Sequence, residues 1–101
     1  EMKKQYLKTK NACKVTFTLA KEAVKGAGSV HLVGEFNGWD PQAAPMKRMA
    51  NGSFQVALTL ESGRSYQFRY LIDGRTGEND WSADRYVPSS FGADENSVVD
   101  V

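Results

Sequence analysis

Few of the side chains that could do covalent chemistry in this sequence are placed to do it. The single histidine, His31, lies between Val30 and Leu32 and faces away from both, which suits a structural or surface role better than a ligand or general base. The single cysteine, Cys13, has no partner for an internal disulfide and reads as a small strand residue, so a reducing cytoplasm is the expected compartment. Glu78 with Asp80, or Asp94 with Glu95, would supply the two carboxylates of an acid and base, yet acidic residues in loops are usually solvated. The stretch "KGAGSV" has Gly26 and Gly28 without the third glycine and following helix of a dinucleotide site, and so reads as a turn. No cluster of His, Cys and carboxylates offers a metal set. Neither a metal nor a cofactor is expected, and the chain reads as non-enzymatic.

What remains is a tryptophan in an unusual place. In "VHLVGEFNGWDP", Val30 to Pro41, an apolar strand runs into Asn37-Gly38-Trp39, and the largest side chain available sits in a loop before Asp40-Pro41. Loops on a rigid scaffold are where binding residues concentrate. A sugar ring has an apolar C–H face and a rim of hydroxyls, so it calls for a flat aromatic and a few forked polar groups. Covering about 100 Å² against one indole contributes on the order of 2.5 kcal/mol before ordering costs. Trp39 supplies the platform. Arg69 lies on the strand face opposite Tyr66, Phe68 and Tyr70 and should project outward with its five donors.

The elements that must hold these residues are strands. Val15, Phe17 and Leu19 alternate with Lys14, Thr16 and Thr18, and a second strand around Val30 and Leu32 ends at Gly34. A short segment near Met46 to Met49 meets the turn Asn51-Gly52, after which Phe54, Val56, Leu58 and Leu60 alternate with polar neighbours, a hairpin signal. Ser62-Gly63 turns the chain into Tyr66, Phe68, Tyr70 and Ile72, and Asp73-Gly74 turns it again. A long irregular stretch then precedes a final strand at Ser97 to Val101. About seven short strands with regular turn signals describe an antiparallel all-β sandwich. Residues 1–13 read as an N-terminal arm or edge strand, and 14–101 as the sandwich domain.

Composition agrees and removes other functions. With 101 residues, 41% hydrophobic and 25% charged, the chain suits one globular domain. A net charge of +1 gives no case for nucleic acid, and Lys3, Lys4, Lys8, Lys10 and Lys14 read as a solvated arm and edge. No apolar run approaches the roughly 20 residues of a membrane span, so no membrane partner is expected.

Three motifs in order, "VHLVGEFNGWDP", "YQFRYLIDG" and "SSFGADENSVVDV", resemble the glycogen- and starch-binding modules of carbohydrate-binding family 48 over about Val15 to Val101. That family includes the glycogen-binding domain of the AMP-activated protein kinase β subunit and the early-set N-terminal domains of isoamylases, pullulanases and branching enzymes. The resemblance implies an immunoglobulin-like sandwich that binds glycogen, starch, maltooligosaccharides or cyclodextrin without catalysis, alone or beside a glycogen-metabolising enzyme. The alternative it leaves is an early-set domain that packs on an amylase-superfamily enzyme or another partner with no working sugar site. By the resemblance, Trp39 stacks a glucose ring and Phe36 is core. Arg69 stands where relatives hydrogen-bond sugar hydroxyls with a lysine, Phe91 where a leucine threads against the glucan, and Asn96 where an asparagine bonds hydroxyls. Gly77 departs from the pattern, since relatives carry a second stacking tryptophan there. Trp81, four residues on in "DGRTGENDW", either takes that role or belongs to the core.

Overall fold

Burial on alternate residues explains why residues 12–19 form a strand. In a computed structural model that describes residues 1–90 and 94–101, strand β2 (Ala12–Leu19) buries Cys13, Val15, Phe17 and Leu19 and turns Lys14 to solvent. It pairs antiparallel with β1 (Met2–Tyr6) on one side and β5 (Phe54–Glu61) on the other, with Phe17 opposite Val56 and Leu19 opposite Phe54. The two-residue β4 (Lys47–Arg48) completes a sheet of order β1-β2-β5-β4. The first residues thus form the edge strand of a sheet, and β2 begins two residues before the expected boundary of the sandwich.

The second sheet runs β3-β6-β9-β8, from β3 (Val30–Gly34), β6 (Ser65–Ile72), β9 (Glu95–Asp100) and β8 (Arg85–Pro88). Its inner face presents Leu32, Tyr66, Phe68, Tyr70 and Val99 to the first sheet. Phe68 is the hub, with ring centroids 5.1 Å from Phe17 and 5.8 Å from Tyr70 in edge-to-face geometry. Among the described residues the strands number nine, two sheets facing across one core, which is the all-β immunoglobulin-like sandwich.

The stretch expected to be irregular holds two of these strands. Along one edge β6 changes partner: Ser65 to Phe68 pair with β9, and Tyr70 to Ile72 pair with β7 (Thr76–Glu78). Asp80, expected to be solvated, is fully buried instead. Its carboxylate accepts from the Tyr70 hydroxyl at 2.6 Å and from the Ser82 backbone N–H at 2.8 Å, and also contacts the Glu1 amine. Its own N–H donates to Ser97 Oγ at 2.9 Å. Burial and then the Asp80 carboxylate push the Tyr70 phenol far above its ordinary 10.0, so it stays a donor. A single helical turn, α1 (Lys21–Val24), closes one end by burying Ala23 and Val24.

Candidate functional site

Each residue of "GEFNGW" has a separate task in bringing Trp39 to the outer face of the second sheet. Gly34 is needed for close approach: a Cβ there would lie 2.6 Å from Gln67 O and 2.9 Å from Phe68 Cβ. Glu35 continues the pairing where β3 stops, its carboxylate accepting from the Gln67 N–H at 2.7 Å. Phe36 turns inward against the core, 5.8 Å from Phe17 and 6.0 Å from Tyr66 between ring centroids. Asn37 ties the turn, accepting from Gly34 N–H at 3.1 Å and donating to Leu32 O at 2.9 Å. Gly38 and Trp39 are then both left-handed, at φ 65° and 60°. The Trp39 N–H returns to Gly34 O at 2.9 Å.

A left-handed backbone under a tryptophan is strained, since its Cβ crowds the adjoining carbonyl. Strain of this kind is kept where a side chain has to point in one direction. Here the half-buried indole lines a groove of about 360 Å³ together with Glu35, Gln67, Arg69, Ser89, Ser90 and Asn96. That volume falls at the small end of the roughly 300–1,000 Å³ typical of ligand sites.

Register places the polar groups. Gln67 and Arg69 alternate with the buried Phe68 on β6, and Asn96 lies on β9 opposite Val87, on the same outer face. The Asn96 amide donates to Gln67 Oε1 at 3.0 Å, which orients both side chains. The Arg69 guanidinium lies over the bare backbone of Gly77, whose carbonyl it meets at 3.3 Å, and approaches the Asp94 carboxylate at 3.9 Å. Its Nε is buried with no hydrogen-bond partner among the described residues. A Cβ on Gly77 would meet Arg69 Cζ at 3.2 Å. The glycine is therefore matched to the arginine above it, and its backbone is not left-handed.

Trp39, Arg69 and Asn96, from three separate segments, thus share one groove. Trp81 does not join them. It is 62% exposed, which excludes the core, and the clefts it lines share none of the described residues with the groove. Phe91 lies outside the described residues. Glu35, Gln67, Ser89 and Ser90 were not singled out from sequence. Gln67 was recoverable, two residues before Arg69 on the same strand face.

Two facing antiparallel sheets form an immunoglobulin-like domain with an aromatic and polar groove on one outer face. The profile of the carbohydrate-binding module 48 family, the isoamylase N-terminal domain, matches residues 10–87, and the chain belongs to that family. The 1,4-alpha-glucan branching enzyme GlgB of Butyrivibrio fibrisolvens is 35% identical over 61 residues, covering 60% of this chain and 10% of that enzyme. The branching enzyme GlgB 2 of Xanthomonas campestris pv. campestris strain 8004 is 37% identical over 51 residues, 48% of this chain and 7% of the enzyme. The matched segment is therefore a tenth or less of these relatives' length.

Proposed function

We propose that this domain is a noncatalytic module that binds α-glucans of the glycogen and starch type. In this reading one glucose ring stacks on the Trp39 indole while Arg69 and Asn96 hydrogen-bond its hydroxyls. The observation that carries it is the convergence of a strained, half-buried tryptophan and two polar side chains from distant segments on one groove. Among the described residues, Glu35 and Arg69 are the charged ones that line the groove, one of each sign, which suits a neutral ligand. The match to branching enzymes supports a glucan ligand and a place beside an enzyme that acts on glucan. Affinity for a short oligosaccharide should fall between about 1 μM and 1 mM, because ordering a flexible sugar offsets much of the stacking.

Sedimentation with insoluble starch, with cellulose as control, tests the proposal. The domain should pellet with starch and stay in solution with cellulose. A domain that stays in solution with both has no working sugar site, and a packing role against an enzyme would then be the better account.

A further inference from the structure

Trp81 is the most exposed large apolar side chain of the described residues, and nothing in the Trp39 groove uses it. It follows the buried Asp80, whose hydrogen bonds to Tyr70 and Ser97 fix the backbone from which the indole projects. The indole forms part of a cleft of about 420 Å³. Its apolar lining comes from Ala23 and Val24 of α1 and Ile72 of β6. Its polar lining is mixed: Glu22 and Glu78 offer carboxylates, Lys25 an ammonium and Thr76 a hydroxyl. The same indole also lines a smaller cleft with Thr18, Leu19 and Ser82.

We infer that Trp81 and this cleft form a second α-glucan site, separate from the Trp39 groove. The inference rests on the glucan-binding reading above. An exposed indole that lines a cleft with apolar side chains suits the C–H face of a pyranose, and the polar lining has both acceptors and donors for its hydroxyls. Two carboxylates against one ammonium leave little net charge, which fits a neutral polyhydroxylated ligand better than an ionic one. A polymer with many identical rings can occupy both sites, so that the second contact forms at high effective concentration.

The chain holds two tryptophans, one at each site, so the indole N–H signals of ¹⁵N-labelled protein report each site alone. Titration with maltoheptaose should shift both signals, and should still shift the Trp81 signal in Trp39→Ala. Glycogen binding by Trp81→Ala should weaken by about ten-fold or more through lost avidity, while the variant melts like the parent. A Trp81 signal that stays fixed while the Trp39 signal moves overturns the second site and leaves the proposed function standing; Trp81 would then belong to a protein contact. If only the Trp81 signal moves, the second site stands and the role given to Trp39 falls. If neither moves, both fall.

Discussion

Trp39 and Arg69 are each held by a neighbour that has no side chain to speak of. Trp39 sits at φ 60° after the left-handed Gly38, and Arg69 lies across Gly77. Because the strain belongs to the backbone, Trp39→Gly should be more stable than Trp39→Ala by about 1 kcal/mol, read as a higher melting temperature. Equal melting would mean that the turn relaxes once the indole is gone. The Gly77 position leads to a different expectation. A tryptophan there has space only if the guanidinium moves, so Gly77→Trp alone should bind maltoheptaose no tighter than the parent. Combined with Arg69→Lys, whose slimmer head leaves room, it should bind more tightly than the single changes sum to, by about 0.5 kcal/mol or more. Strictly additive affinities across that cycle would remove the physical link between Arg69 and Gly77. In sequence Gly77 looked like a missing platform, because nothing local shows that an arginine eight residues earlier in the chain covers it.

At the scale of elements, the site depends on how β3 ends. Gly34→Ala puts a Cβ against the Gln67 carbonyl and the Phe68 side chain, and a backbone carbonyl cannot rotate away. It should cost on the order of 1–3 kcal/mol in urea titrations. Asn37→Ala should cost a similar amount, about 1–3 kcal/mol, since it unpairs Gly34 N–H and Leu32 O together. A neutral result for either would show that another contact sets the turn. The longer strands β2, β5 and β6 were legible in sequence because each buries one face and the residues alternate accordingly. β7 and β8 were not. One is three residues long with a glycine at its centre, and the other ends in Pro88, so neither is long enough to show a period of two. Asp80 was misread for a related reason: its burial comes from partners at Tyr70 and Ser97, ten and seventeen residues away. The groove was partly legible. Its aromatic and two polar residues were named through motif order, whereas Glu35, Ser89 and Ser90 join through three-dimensional proximity alone.

At the scale of the whole molecule, the Tyr70–Asp80 pair ties the core of the second sheet to the segment that carries Trp81. The folded phenol is held neutral well above its ordinary value of 10.0, so the stability it contributes is intact below about pH 10 and declines as pH rises beyond that. Tyr70→Phe should lose about 1–3 kcal/mol at neutral pH, because Asp80 keeps its burial and loses a donor. The gap between parent and variant should narrow above pH 10, where the parent alone has Tyr70 to ionise on unfolding. A gap independent of pH would contradict the assignment. The second sheet holds the groove on its outer face, and the central claim is that this groove takes an α-glucan through Trp39. Calorimetric titration of maltoheptaose into Trp81→Ala and into Trp81→Ala/Trp39→Gly isolates it. A dissociation constant between about 1 μM and 1 mM for the first, and affinity at least ten-fold weaker for the folded second, is the outcome predicted. Equal heats and equal affinity in the two proteins would contradict it.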